Sequence, residues 1–125
     1  MFHHVALEVR SDQVAGDSRF WELAGFARVM VPEALGPGFT WFESGGAQIH
    51  LVHTDDPMVP ANGHVAVAAP DFEQTVARLE DEGFEVREGR KLWGARRAKV
   101  TCPSGHQVEL IEGPPPGSDD PDRRR

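Results

Sequence analysis

Four residues stand out in this 125-residue chain because their types and spacing could bind a metal: His4, His50, His64 and Glu109. His4 opens His4-Val5-Ala6-Leu7, and His64 opens the near-copy His64-Val65-Ala66-Val67, sixty residues later. His50 is central in Gln48-Ile49-His50-Leu51-Val52, and Glu109 in Gln107-Val108-Glu109-Leu110-Ile111, fifty-nine later. Imidazole and carboxylate together suit a divalent first-row metal (Zn, Ni, Fe, Mn or Co), whereas calcium prefers a shell of oxygens. A single histidine on a strand is ordinarily a half-exposed polar residue. Four candidate ligands at repeat-related positions point instead to a site, with Glu109 also able to move a proton.

These side chains can meet only if their strands turn them the same way. Side chains alternate along a strand, so Val5, Leu7 and Val9 share one face while His4, Ala6 and Glu8 take the other. By the same parity Val65 and Val67 face a core, and His64, Ala66 and Ala68 face away from it. Ile49 and Leu51 oppose His50, and Val108 and Leu110 oppose Glu109. If the two sheets curl toward each other, the four ligands converge in one cavity, where the alanines leave room for metal and substrate.

The elements that must do this positioning also repeat, since Gly25-Phe26 recurs as Gly83-Phe84. The first copy predicts a strand over Phe2–Val9, then a helix capped by Ser11 or Asp12 and ending at Gly25. Strands follow over Ala27–Val31, Phe39–Glu43 and Ala47–His53. The second copy predicts a strand over His64–Ala69, a helix from about Asp71 to Glu82, and strands near Phe84–Glu88, Ala98–Cys102 and Gln107–Glu112. The order βαβββ occurs twice, which makes an α+β domain over 1–112, built of modules 1–54 and 63–112. From Gly113 three consecutive prolines and a charged run predict a disordered tail over 113–125.

Around the candidate ligands, Trp41, Trp93, Arg96 and Arg97 are candidate substrate-binding residues, the arginines because a guanidinium fork matches a carboxylate or phosphate. His3 falls on the core side by parity, His53 and His106 read as solvated, and Cys102 reads as an inert thiol. Acidic residues outnumber basic ones 20 to 13, a net charge of −7, which counts against a nucleic-acid partner. One cysteine excludes an internal disulfide framework. The longest apolar run, Val65–Ala69, is far short of a membrane span, and no basic-then-apolar leader opens the sequence. The expectation is a soluble cytoplasmic protein with no membrane partner.

The stretches His-His-Val-Ala-Leu-Glu-Val, Gly-His-Val-Ala-Val-Ala-Ala-Pro-Asp and Pro-Ser-Gly-His-Gln-Val-Glu-Leu-Ile resemble the motifs of the vicinal oxygen chelate superfamily, which includes glyoxalase I and extradiol dioxygenases. The resemblance spans about residues 2–112. It implies paired βαβββ units cupped around a metal, and by position the ligands His4, His50, His64 and Glu109. The sequence departs from the family pattern at His50, where glyoxalase I relatives often carry glutamate. It departs also at Cys102, His106 and Trp21, which replace a common aspartate, asparagine and tyrosine. The implied function is a metal-dependent, glyoxalase-like lyase or isomerase acting on a small substrate with two adjacent oxygens. An extradiol-type dioxygenase using His4, His64 and Glu109 is an alternative, as is a non-catalytic small-molecule binding or antibiotic-resistance protein. Unpaired sheet edges predict a homodimer.

Overall fold

Period-two alternation in His4–Val9 calls for a strand with one covered face, and β1 occupies those residues in a computed structural model that describes residues 1–113. Beyond Gly113, the tail expected at the C-terminus lies outside the described residues. A 3-10 turn over Ser11–Gln13 leads into helix α1 (Val14–Leu23). Neither Ser11 nor Asp12 caps it through a side chain; Asp12 instead accepts a hydrogen bond from Arg10. Strands β2 (Ala27–Val29), β3 (Phe39–Ser44) and β4 (Ala47–His53) complete the first module. The second runs β5 (Val65–Ala68), α2 (Phe72–Asp81), β6 (Val86–Glu88), β7 (Arg97–Thr101) and β8 (Gln107–Ile111).

The two four-stranded sheets have the same order, β1-β4-β3-β2 and β5-β8-β7-β6, with the first strand of each parallel to its neighbour. Both helices stop the same way. Gly25 and Gly83 take φ of +99° and +92°, which glycine adopts without strain. The following amides of Phe26 and Phe84 then reach back to the carbonyls of Trp21 and Leu79, at 2.9 and 3.0 Å. This Gly-Phe pair is therefore a helix stop, and its repetition in sequence is a repetition of local hydrogen bonding.

One core unites the modules. Leu7, Val9, Phe20, Trp21, Phe42, Ile49 and Leu51 join Phe72, Leu79, Val100, Val108 and Leu110 in a single buried cluster. Phe20 of α1 meets Phe84 of the second module edge-on at 5.8 Å, and Arg19 pairs with Glu82 at 2.7 Å. α1 also docks on the turn between β7 and β8. There the buried Asp17 carboxylate accepts hydrogen bonds from the Ser104 amide at 3.0 Å and the Ser104 hydroxyl at 2.5 Å. His106, expected to be solvated, is 5% exposed and its Nε2 donates to the Glu8 carbonyl at 2.7 Å. His53 likewise differs from expectation: it is half-buried and hydrogen-bonded to the buried Thr40 hydroxyl at 2.9 Å. In both cases the strand or turn end is covered by the neighbouring module or strand, which local sequence does not reveal.

Candidate metal and substrate site

Parity places the candidate ligands on the sheet faces turned away from the core. In the first sheet His50 lies opposite Ala6 of β1 and Trp41 of β3. Its ring is sandwiched between Trp41, with centroids 3.8 Å apart and planes 2° from parallel, and His4 at 4.0 Å. His50 Nε2 donates to Gln48 Oε1 at 2.7 Å, and the Gln48 amide donates in turn to Glu43 at 3.1 Å. With that proton committed, the lone pair of His50 resides on Nδ1. Burial holds the His50 imidazole below its ordinary pKa, and positive charge on His4 and His3 would push the same way. A neutral imidazole is the form that ligates. His4 is exposed and its Nδ1 meets that of His3 at 2.8 Å, so His3 lies beside the site rather than in the core.

In the second sheet His64 Nε2 stands 3.0 Å from Glu109 Oε1. Its Nδ1 lies 3.0 Å from the Asn62 carbonyl, an acceptor only, so Nδ1 carries the proton. In the neutral ring Nε2 is then a lone pair facing a carboxylate oxygen. Two acceptors held that close are reconciled by a cation, either a proton on Nε2 or a metal ion shared between them. A histidine that spends its other N–H on a carbonyl is the usual support for metal ligation. His64 and Glu109 therefore fit a divalent first-row metal as a pair of donors, whereas His4 and His50 are stacked 16° from parallel and would share an ion only if one ring turned. Among the described residues no three His, Cys, Asp or Glu side chains gather into one metal-holding group, so a single chain forms the two pairs but does not merge them. Ala6 and His64 nonetheless line one cavity of about 230 Å³ between β1 and β5.

The candidate substrate residues divide. Trp41 is within the first pair's face, and its indole N–H is buried without a hydrogen-bond partner among the described residues. Arg97 is beside the second pair: Nη1 lies 3.5 Å from Glu109 Oε2, and Nε donates to the Arg90 carbonyl at 2.7 Å. Arg96 is drawn elsewhere, paired with Glu88 at 2.8 Å and stacked over the Phe72 ring. Trp93 is exposed at a tight turn closed by the Leu92–Ala95 bridge. Gln48, Asn62, Arg87 and Lys99 are additions that the sequence reading missed. Gln48 and Lys99 were available from strand parity alone, whereas Asn62 depends on a loop conformation. Cys102 is buried, which pushes its thiol far above the ordinary range and leaves it inert.

The model of the Glyoxalase/Bleomycin resistance protein/Dioxygenase superfamily matches residues 3–110. The chain belongs to that superfamily. Its fold is similar to that of a Bacillus anthracis protein described as of the glyoxalase family, with a TM-score of 0.80, 22% identity, and coverage of 91% of this chain and 95% of that one. It is similar also to a lactoylglutathione lyase from Agrobacterium tumefaciens (TM-score 0.68, 19% identity, 90% and 93% covered). A third similar structure is the Listeria monocytogenes fosfomycin resistance protein FosX, in a mutant complex with Mn(II) and 1S,2S-dihydroxypropylphosphonic acid (TM-score 0.71, 18% identity, 91% and 90% covered). No curated protein matches the chain. The superfamily's paired βαβββ architecture is thus the architecture of this chain, and no helix among its described residues is long and apolar enough to cross a membrane.

Proposed function

We propose that the chain is a metal-dependent enzyme of the lyase or isomerase type, acting in the cytoplasm as a homodimer on a small molecule with two adjacent oxygens. The observation that carries this is the His64–Glu109 pair, an imidazole Nε2 and a carboxylate oxygen 3.0 Å apart, with the Asn62 carbonyl beside Nδ1. His4 and His50 form the corresponding pair in the first module, and two copies of the chain complete the set by bringing one copy's first pair to the other copy's second. The exposed His4, Ala6, His64, Ala66 and Ala68 supply faces open to such an approach. A bound divalent metal supplies Lewis acidity toward the two substrate oxygens. The chain's own residues do the rest. His50 and His4 present nitrogen donors, Trp41 walls the site with an aromatic face, and Glu109 accepts or returns a proton through Oε1 or Oε2. The fold neighbours that bind Mn(II) or bear the name lyase support the reading by analogy.

A mixing experiment tests it. His50→Ala and Glu109→Ala proteins, each poor in zinc, are unfolded together and refolded. A site shared between copies predicts that the mixed dimer regains one intact site, so zinc content rises above that of either parent. Zinc retained in both single variants would remove these residues from the metal, and no gain on mixing would place each site within one chain.

A dioxygenase reading has one specific observation in its favour. Trp41 and His4 sandwich the His50 ring, which is 7% exposed. That leaves His4, His64 and Glu109 as a two-histidine, one-carboxylate set of the kind non-haem iron uses.

A further inference from the structure

The second sheet carries its positive charge on the metal side. Lys99 of β7 lies directly opposite Glu109 of β8, and Arg87 of β6 lies directly opposite Lys99. Arg97, two residues before Lys99, shares their face. Three cations thus share a face with Glu109, and with Glu88 also lining the cavity they leave a local excess of one positive charge in a chain whose net charge is −7. Their internal partners do not account for them. Lys99 has no hydrogen bond or ion pair among the described residues, Arg87 reaches only the Thr101 hydroxyl at 3.0 Å, and Arg97 sits 3.5 Å from Glu109. Between them lies a cavity of about 300 Å³ lined by Arg87, Arg97, Lys99 and two carboxylates, Glu109 and the Glu88 that Arg96 already pairs.

We infer that this cavity is an oxyanion subsite, and that the substrate carries an anionic group which Lys99 and Arg87 seize while its adjacent oxygens face the metal. The inference rests on the reading of His64 and Glu109 as metal ligands. The geometry suits the task. Arg97 is pinned through Nε to the Arg90 carbonyl, so its fork is oriented before an anion arrives, and Lys99 adds a mobile point charge. Glu109 then experiences the same cations that hold the substrate, and the other carboxylate at the cavity, Glu88, is already paired with Arg96. Arg96, though adjacent in sequence, is excluded from the subsite because Glu88 and Phe72 hold it.

The test uses the full chain stripped of metal with chelator, titrated with inorganic phosphate and, separately, with acetate, and followed by backbone amide shifts. Saturable shifts should appear at residues 87–89 and 97–99, and Lys99→Ala and Arg87→Ala should each weaken binding by about tenfold. Arg10→Ala, which removes a cation of the first module paired with Asp12, should leave it unchanged. Stronger binding of phosphate than acetate assigns a phosphate- or phosphonate-like group, and the reverse order assigns a carboxylate. No saturable shift with either probe, or equal binding by Lys99→Ala and wild type, overturns the subsite. Zinc binding measured on the same samples separates the two claims. Zinc bound without phosphate sinks only the subsite, and phosphate bound without zinc leaves an anion site but sinks the metal reading and the substrate pose drawn from it.

Discussion

Glu109 occupies in the second sheet the register position that His50 occupies in the first: His50 lies opposite Ala6 and Glu109 opposite Ala66, across equivalent parallel strand pairs. Their antiparallel neighbours are equivalent too, yet one is Trp41 and the other Lys99. The two modules therefore place a candidate donor at the same register position and differ in the wall beside it, one aromatic and one cationic. Apposing the two faces would surround a bound molecule with stacking on one side and positive charge on the other.

The support behind His50 should matter to metal binding although it touches no metal. Gln48 fixes the proton on His50 Nε2, and Glu43 orients Gln48. Gln48→Ala frees the imidazole to change tautomer and turn, and such partners commonly contribute ~10–100-fold in metal affinity. Zinc affinity measured by chelator competition should fall within that range, while thermal stability stays close to wild type because Gln48 is only half-buried.

Much of this was legible in the sequence because parity and repetition are local. His4, His50 and Glu109 lie on the faces that period two assigns, His64 just precedes β5, and Gly25-Phe26 and Gly83-Phe84 mark both helix stops. Arg96 and Arg97 are not told apart because the predicted strand begins at Ala98; β7 starts at Arg97, which puts that residue on the Lys99 face, while Glu88 and Phe72 draw Arg96 off. His106 misled for a similar reason. A turn residue is ordinarily wet, but α1 and Glu8 close over this one, and no local signal reports contacts ninety-eight residues apart.

The joint between the modules should respond to pH through Asp17. Burial raises its pKa above the ordinary 3.8, the Ser104 hydrogen bonds and His106 opposing the shift. The folded state thus binds this proton more tightly than the unfolded one. Its contribution to stability is largest at acid pH and declines as pH rises from 3.8 through the raised value. Asp17→Asn removes that slope, so urea midpoints of the variant should gain on wild type as pH rises through the window. Asp17→Ala should cost ~1–3 kcal/mol, because the Ser104 amide loses its acceptor. A wild-type midpoint with the same pH slope as Asp17→Asn would contradict the assignment.

Gly16 allows α1 to approach the β7–β8 turn. A Cβ built there would lie 2.8 Å from Pro103 Cγ, and a proline ring has little freedom to move aside. Gly16→Ala would gain up to ~1 kcal/mol of helix propensity, but overpacking of this kind costs ~1–3 kcal/mol. The clash should win, and Gly16→Ala should unfold at lower urea concentration. Pairing it with Pro103→Ala should recover most of the loss, which identifies the clash rather than the backbone as the cause.

His50 separates the two enzyme readings, and its environment gives the test a pH signature. Burial lowers its pKa, so the folded state binds this proton less tightly than the unfolded state. Stability contributed by neutral His50 is present above the ordinary 6.5 and is lost as pH falls through the lowered value. As a ligand in a four-donor site, His50 competes with protons over that same window, and zinc affinity should fall there in wild type but be flatter in His50→Glu. That carboxylate can still ligate, so His50→Glu should keep its metal, whereas His50→Ala should lose about tenfold or more in affinity. A three-donor iron site predicts otherwise: His50→Ala retains iron and only turns over more slowly. Unchanged metal content in His50→Ala, together with oxygen uptake by the wild-type protein on a catechol, would decide for the dioxygenase. Lost metal in His50→Ala, restored in His50→Glu, would decide for the four-donor enzyme.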